Sequence, residues 1–453
     1  MAAIADKFSR LSALKPARPV AARPTALRAP DEEDSLARLL GAGVAKNHFG
    51  EHLSVRNWFS TPEYLEASSA SLDLLSRSRD ESLSRRTRAA LTDPEKWLFL
   101  DTETTGLSGG TGTYAFLVGL AWWDAGGLQV EQFFMRDFSE EHSLLHELCG
   151  RLAERPVLVT FNGKSFDWPL LESRFTMTRS IAVPKLAAHL DLLHPARALW
   201  KLRLGSVRLV ELERHVLDVP RLGWRRDDDV SSALIPQFYF DYLRGGPMEP
   251  LAGVVRHNQM DLRGLAALFG KINTLLSEPG AAAETQSLDL FGLSRFLQRR
   301  GETDRAHLAC SQALEIGLPA EFRPKARREL ALMAKRRGEH ERAAEIWQEI
   351  VADPQDGIYA CEQLAIHFER HARNLSRAAE FAQLGLAKLR CQRSASRDPF
   401  LAARSTWLEQ KFLHRIARLQ HQMPISDGLA RPLALSRSAG ETEAESRYRY
   451  RHR

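Results

Sequence analysis

The 453-residue chain has few cysteines, and none of them are paired in sequence. The four cysteines are scattered singly, at Cys149, Cys310, Cys361 and Cys391. Their spacing excludes a zinc motif built from closely spaced pairs, and their number excludes a dense disulfide framework. Scattered cysteines fit a reducing compartment, so we expect a cytoplasmic protein.

Long hydrophobic runs are also missing. No apolar run approaches the roughly 18 residues that a membrane span needs. Basic residues interrupt the N-terminus, where a secretory signal would need an apolar stretch, at Lys7, Arg10, Lys15 and Arg18. We therefore expect no membrane partner, while an organellar transit peptide stays an alternative for this Arg-containing, acid-poor segment.

Outside the N-terminal tail the chain has little net charge. The formal net charge is +6, and residues 1–30 alone contain six Lys or Arg and one Asp, a surplus of five. Since the remainder is close to neutral, charge by itself does not indicate that the chain binds nucleic acid.

Composition and periodicity divide the chain into five segments, and a chain of this length is expected to hold two or three domains. The segments are a disordered basic tail at 1–30, an N-terminal extension at 31–92, an α/β domain at 93–278, helical repeats at 285–422 and a disordered tail at 423–453. In the extension, short helical patterns at Ser35–Leu40 and Tyr64–Leu75 alternate with loops.

The α/β domain opens with strand patterns. An apolar run up to Leu100 predicts a buried strand, and further strands are predicted at 114–123, 129–135 and 156–161. A helix is predicted at 139–152, with Ser139 as its N-cap. Three strands, a helix and a further strand favour an α/β layer fold.

Two acidic residues, Asp101 and Glu103, directly follow the first strand. Because side chains alternate along a strand, both point to the same face. Paired carboxylates repel each other unless a cation lies between them, and Mg²⁺ or Mn²⁺ suits ligands that are all oxygen. The alternative is an edge strand whose acids are solvated.

Two further groups of polar residues follow. Asp167 ends the run Asn162–Asp167, at the junction of a strand and a helix, where open α/β sheets place their chemistry; the alternative is a helix N-cap. His257 and Asp261 lie four residues apart on one helix face, and the alternative for them is a surface pair.

Taken in order, the D-x-E, N-x3-F-D and H-x3-D motifs resemble the DEDD superfamily of 3′-5′ exonucleases. They resemble more closely the YprB-like branch of ribonuclease H-like proteins. The closer match is carried by T-F-N-G-K-S-F-D-W-P-L-L-E-S-R-F and by H-L-D-L-L-H-P-A-R-A-L-W at His189–Trp200. The resemblance covers about residues 96–275 and implies a ribonuclease H-like α/β domain with a mixed sheet.

The resemblance implies an exonuclease that hydrolyses phosphodiester bonds of DNA or RNA with two divalent metal ions, Mg²⁺ or Mn²⁺. Asp101 would bridge both ions, and Glu103 would hold the first ion and orient water. Asp167 and Asp261 would complete the ligands, and His257 would act as general base. One departure concerns His257, which lies four residues before Asp261, whereas histidine-type members usually leave five.

Other polar residues accompany these motifs. The predicted substrate contacts, for a single-stranded 3′ end, are Thr104, Asn162, Lys164 and Asn258. Asp191 is interpreted either as bordering the site or as a buried, hydrogen-bonded carboxylate. The run Asp227–Asp229 is interpreted as a solvated loop.

A helical region follows from about Leu288. Gly301-Glu302-x3-Ala306 recurs as Gly338-Glu339-x3-Ala343 after 37 residues, and Arg373-Asn374-x3-Ala378 repeats the frame after 35 more. This period resembles tetratricopeptide repeats and implies an all-α domain that binds a protein partner. A plain helical bundle is the alternative.

Three functional alternatives stay open beside the exonuclease. One is a catalytically weak nucleic-acid-binding protein, and the second is an adaptor that works through its repeats. The third is an endonuclease that uses the same metal site.

Overall fold

The structure, a computed structural model, describes residues 30–60, 89–91, 93–106, 112–217, 219–220, 222–277, 286–354, 356–395 and 399–423. The predicted tails, apart from residues 30 and 423, and the helical pattern at Tyr64–Leu75 lie outside these ranges. The chain divides into two units, Met1–Ala326 and Arg327–Arg453. Among the described helices, none combines the length and apolar character that spanning a bilayer demands.

A mixed β-sheet organises the first unit. In the described part of the chain its seven strands are β1 (Gly43–Asn47), β2 (Gly50–Phe59), β3 (Trp97–Thr104), β4 (Ala115–Asp124), β5 (Gly127–Phe134), β6 (Val157–Thr160) and β7 (Ala188–Asp191). The strand order is β1-β2-β5-β4-β3-β6-β7. The β3–β6 and β6–β7 pairs are parallel and the others antiparallel. The predicted α/β mixed-sheet fold is therefore confirmed.

Helices flank this sheet. They are α1 (Pro30–Leu40), α2 (Glu141–Glu154), α3 (Asp167–Thr178), α4 (Leu193–Leu204), α5 (Leu209–Leu212), α6 (Ile235–Leu243) and α7 (Glu249–Ser277). A π-helical turn, Glu213–Leu217, directly follows α5. The long helix α7 contacts strands β3, β4 and β5.

The central strand β3 is fixed by its apolar half. Trp97 to Leu100 are at most 1% exposed, and burying each such side chain contributes roughly 1.5–3 kcal/mol. The strand then carries Asp101 and Glu103 out of this core. Register places Asp101 opposite Gly119 of β4, and Gly119 opposite Gln132 of β5.

Two strands come from the segment that the sequence analysis interpreted as loops between helical patterns. β1 and β2 form a hairpin, and β2 pairs with β5 from Leu53 to Phe59. Leu53 and Val55 alternate into the core, while β1 is an exposed edge with little apolar pattern. A hairpin with so few buried positions gives a weak sequence signal, which is why the loop interpretation was wrong.

The helix predicted at 139–152 is present, but its cap is another residue. A 3-10 turn, Phe138–Glu140, precedes α2, and the Asp137 carboxylate accepts a hydrogen bond from the Ser139 backbone N–H at 2.7 Å. Asp137 therefore caps this turn, and Ser139 lies inside it. The Asp137 carboxylate also accepts a hydrogen bond from the Ser139 hydroxyl at 2.5 Å, so the Ser139 side chain is itself bonded to the cap.

The C-terminal region is all-α, as predicted. Its described helices are α8 (Ser287–Arg299), α9 (Thr303–Ile316), α10 (Arg323–Arg336), α11 (His340–Ile350), α12 (Gly357–Arg370), α13 (Leu375–Ala395) and α14 (Pro399–Gln422).

Three helix pairs in this region share one turn geometry. The first frame residue has a positive φ in each turn: 83° at Gly301, 81° at Gly338 and 50° at Arg373. The alanine five residues later is at most 3% exposed in each, at Ala306, Ala343 and Ala378. A small buried residue lets two helices pack closely, so the sequence period corresponds to a recurring helix hairpin.

Candidate functional site

Four carboxylates from distant parts of the chain interact at one end of the sheet. Asp101 and Glu103 lie on β3, Asp167 is the first residue of α3, and Asp261 lies within α7. Burial raises the pKa of Asp101 well above its usual range, and the charges of Asp261, Asp167 and Glu103 raise it further. Burial and the charges of Asp261 and Asp167 likewise raise the pKa of Glu103. The structure thus brings the predicted acids close enough to perturb one another.

A fully buried amide holds Asp101 in place. Asn258 Nδ2 donates to Asp101 Oδ2 at 2.8 Å, and Asn258 Oδ1 accepts from Gln132 Nε2 at 2.8 Å. Gly119 lies between Asp101 and Gln132 in the sheet, directly beneath this amide. A Cβ atom at Gly119 would lie 2.0 Å from Asn258 Oδ1, so glycine is needed for α7 to approach the sheet this closely.

Asp167 is positioned from two sides. Its carboxylate accepts the Thr102 hydroxyl at 2.5 Å. The turn before it is held by the buried Asp191 carboxylate, which accepts the backbone N–H groups of Asn162 at 2.7 Å, Lys164 at 3.2 Å and Leu193 at 3.0 Å. Burial raises the pKa of Asp167 even though the Thr102 hydrogen bond lowers it. Asp191 is therefore a buried, hydrogen-bonded carboxylate, and it also borders the acidic cluster, because its charge raises the pKa of Asp167.

The helix-cap alternative for Asp167 does not describe this geometry. The N-cap of α3 is Phe166, which makes no side-chain capping bond, and Asp167 is the first helical residue. Its carboxylate instead bonds to Thr102 of β3, and its charge raises the pKa values of Asp101 and Glu103.

His257 has a partner that the sequence analysis missed. The imidazole Nδ1 lies 2.8 Å and 2.9 Å from the two Asp229 carboxylate oxygens. Its Nε2 lies 3.3 Å from Ser232 Oγ and 3.6 Å from Asp261 Oδ2. The interpretation of Asp229 as part of a solvated loop was wrong, because only 11% of its side chain is exposed. Its neighbours Asp227 and Asp228 are exposed. The sequence of three consecutive aspartates gives no signal that the third is buried.

A second missed residue is the arginine three positions before. Arg226 donates to Asp229 Oδ2 at 2.8 Å and to Glu213 Oε1 at 2.7 Å, and it also contacts Asp261 Oδ1. Desolvation lowers the pKa of Arg226, but the three carboxylates outweigh it and raise the pKa. Arg226 is therefore a resident cation beside the acidic cluster.

The predicted substrate contacts have different settings. Lys164 is exposed, and Thr104 and Asn162 are half-buried. The Thr104 hydroxyl donates to Gly106 O at 2.8 Å. Asn258 is 0% exposed and both ends of its amide are used within the protein. A setting of this kind suits a residue that positions Asp101 rather than one that reaches a substrate.

The donor set fits a divalent cation. In the described part of the chain, one ligand atom from each of Glu103, His257 and Asp261 lies within 4.8 Å of the other two, a spacing that a metal ion can bridge. Asp101 and Asp167 lie outside that group of three and face it as charged neighbours. Burial, and then the neighbouring carboxylates, raise the pKa values of Asp101 and Glu103, and Arg226 offsets only part of this effect at Glu103. Such a site gains from added positive charge, and oxygen-rich sites of this type favour Mg²⁺ or Mn²⁺.

Comparison with known proteins agrees with this architecture. A model of the RNase H superfamily matches residues 98–273, the segment that holds all four carboxylates. The protein named "Uncharacterized protein YprB" of Bacillus subtilis (strain 168) is 32% identical over 329 residues, which make up 72% of this chain and 74% of YprB. The aligned length exceeds that of the matched domain, so the similarity extends beyond the sheet. Residues 98–273 therefore form a domain of the RNase H superfamily, and the chain belongs to the family that includes YprB.

Proposed function

We propose that this protein is a metal-dependent 3′-5′ exonuclease that hydrolyses phosphodiester bonds of DNA or RNA. The observation that carries the proposal is the convergence of Asp101, Glu103, Asp167 and Asp261 at the end of β3, next to His257. Membership of the RNase H superfamily supports a nuclease acting on nucleic acid. The order of the three motifs favours the exonuclease among nucleases.

The four carboxylates would hold two divalent ions, Mg²⁺ or Mn²⁺. When bound, such ions supply positive charge to the phosphate and to the departing oxygen. The protein contributes fixed ligands: β3 presents Asp101 and Glu103 on one face, while Asn258 and Thr102 hold Asp101 and Asp167 by hydrogen bonds. Ligands held in this way lose little freedom when a metal binds.

His257 is arranged as a general base. With Nδ1–H donating to Asp229, Nε2 carries the lone pair and lies on the side of Asp261. A water molecule at Nε2 would lose a proton to the imidazole while its oxygen attacks phosphorus and the bond to the 3′ oxygen breaks. The 3′ oxygen would leave with the electron pair of that bond and take up a proton from solvent to become a hydroxyl. The Asp229 carboxylate stabilises the imidazolium that results. The four-residue spacing of His257 and Asp261 is compatible with this role, since one helical turn places both on the same face.

The test is digestion of end-labelled single- and double-stranded DNA and RNA with Mg²⁺, Mn²⁺ or chelator. We expect stepwise loss of nucleotides from the 3′ end, abolished by chelator and by Asp101→Ala. Asp124→Ala is the matched control, because Asp124 ends β4 as an exposed residue. Full activity in Asp101→Ala would reject the site, and internal cleavage of a 3′-blocked strand would identify an endonuclease.

We also propose that the helical region binds a protein partner. The recurring hairpins at Gly301, Gly338 and Arg373 support this, because repeated helix hairpins are a common architecture of protein-binding domains. Affinity capture with the full chain and with a chain ending at Ala326 tests it. Equal capture by both would assign binding to residues 1–326, which keep the Gly301 hairpin, and would rule out the Gly338 and Arg373 hairpins as the binding surface.

A further inference from the structure

Arg226 contacts three carboxylates with one guanidinium group. Its Nη2 donates to Glu213 Oε1 at 2.7 Å and contacts Asp261 Oδ1, while its Nη1 donates to Asp229 Oδ2 at 2.8 Å. Only 11% of the side chain is exposed. Two of these partners belong to the candidate site: Asp261 as a proposed metal ligand and Asp229 as the partner of His257.

The third partner, Glu213, holds Arg226 from a buried position. Glu213 lies on the π-helical turn and is 1% exposed. Gly264 of α7 makes room for it, since a Cβ atom there would lie 2.2 Å from Glu213 Oε1. Arg226 Nε also donates to Glu213 Oε2 at 2.5 Å, so the pair is bidentate and its geometry is fixed.

As a result, the two carboxylate oxygens of Asp261 have different partners. Oδ1 is taken by Arg226, whereas Oδ2 faces His257 Nε2 at 3.6 Å. The same guanidinium holds Asp229, whose carboxylate fixes Nδ1 of His257. One side chain therefore sets the orientation of a proposed metal ligand and, through Asp229, of the proposed base.

We propose that Arg226 is a positioning residue that presents a single oxygen of Asp261 to the metal and aligns Asp229 with His257. This inference rests on the proposed function. The two carboxylates of Glu213 and Asp229 outnumber the single positive charge of Arg226, so its contribution is mainly the fixed fork of donors. A lysine keeps the charge, but its three N–H donors share one nitrogen and cannot reproduce the planar fork that bonds Glu213 bidentately while also reaching Asp229 and Asp261.

The experiment measures Mn²⁺ binding to the full-length protein by isothermal titration calorimetry, without substrate. We expect Arg226→Lys to weaken Mn²⁺ binding by about 10- to 100-fold, as loss of a residue that orients a ligand does in other metal sites. Arg244→Lys is the matched control, because Arg244 also pairs with a carboxylate, Asp241, but has a side chain that is 69% exposed. The control should bind Mn²⁺ like the wild type.

A second variant tests the same role if Arg226→Lys fails to fold. Glu213→Gln leaves Arg226 and its charge in place but removes the bidentate anchor, and it should weaken Mn²⁺ binding in the same direction. Circular dichroism establishes which variants are folded. A merely structural arginine would lower the melting temperature yet leave the Mn²⁺ affinity of the folded variants unchanged, and that result in either folded variant overturns the inference.

Failure of the inference and failure of the proposed function give different results. If the wild type neither binds Mn²⁺ nor digests nucleic acid, the proposed function fails and the role of Arg226 fails with it. If the wild type does both while folded Arg226→Lys binds Mn²⁺ as tightly, only the role of Arg226 is refuted. If Arg226→Lys binds weakly and Arg244→Lys does not, the inference stands.

Discussion

Replacing Asp229 with asparagine tests the proposed base directly. The amide keeps the size of the side chain, but its NH2 group can donate to His257 Nδ1, which would leave the proton of the neutral imidazole on Nε2. The variant also removes a negative charge beside the imidazolium. Unit charges about 4 Å apart, at an effective dielectric constant of about 20, interact by about 4 kcal/mol.

This interaction sets the size of the expected effect. At about 1.36 kcal/mol for each tenfold change, 4 kcal/mol corresponds to a loss of about 10³-fold in kcat, within the range of roughly 10²–10⁴ that general bases contribute. The contacts at 2.8 Å and 2.9 Å place the full carboxylate on Nδ1, so little of this interaction should be lost to poor geometry.

The assay is single-turnover digestion of a labelled oligonucleotide with Mg²⁺. Asp228→Asn is the matched control, because it removes the same charge from the neighbouring, exposed residue. We expect Asp229→Asn to lose activity and the control to keep it. Equal rates in the two variants would refute the assignment of Asp229 and leave His257 without an orienting partner.

Two further predictions concern packing and pH. Gly119→Ala should displace Asn258 from Asp101, so that cleavage slows by about 10- to 100-fold and urea unfolding shows about 1–3 kcal/mol less stability; wild-type rates would contradict the role of the amide. Burial lowers the pKa of His52 from 6.5 to about 4. Protonation therefore favours the unfolded chain, and the stability from this group is complete above pH 6.5 and lost as the pH falls toward 4. Between pH 7 and 5 the free energy of unfolding should fall by about 2 kcal/mol. This fall should be smaller in His52→Gln, whose side chain can still bond to Ser143. An equal fall in that variant would rule out His52 as its source.

Residues whose role depends on a local sequence pattern could be predicted from the sequence. Asp101 and Glu103 follow a continuous apolar run, and strand alternation alone places them on one face. Asp167 and Asp261 follow from their positions at a strand end and on a helix, together with the resemblance. The structure places the four carboxylates close enough for the charges of Asp167 and Asp261 to raise the pKa values of Asp101 and Glu103, while their binding of metal stays a prediction.

Residues whose role depends on contacts with distant parts of the chain could not be predicted from the sequence. Asp229 and Arg226 lie in an irregular segment, where no periodicity reports burial, and their partners come from a π-helical turn and from α7. Strand β1 was missed because it is a short, exposed edge strand with little apolar alternation. Asn258 was predicted as a substrate contact, and only the glycine opposite it explains how its amide can be buried against the sheet.

The bond between Asn258 and Asp101 joins residues 157 positions apart. During synthesis on the ribosome, the β3 acids emerge long before the helix that completes their surroundings. A growing chain would thus have the early carboxylates but neither His257 nor Asp261 until α7 has been made and has docked on β4. Hydrolysis would then be withheld from incomplete chains by the order of translation itself.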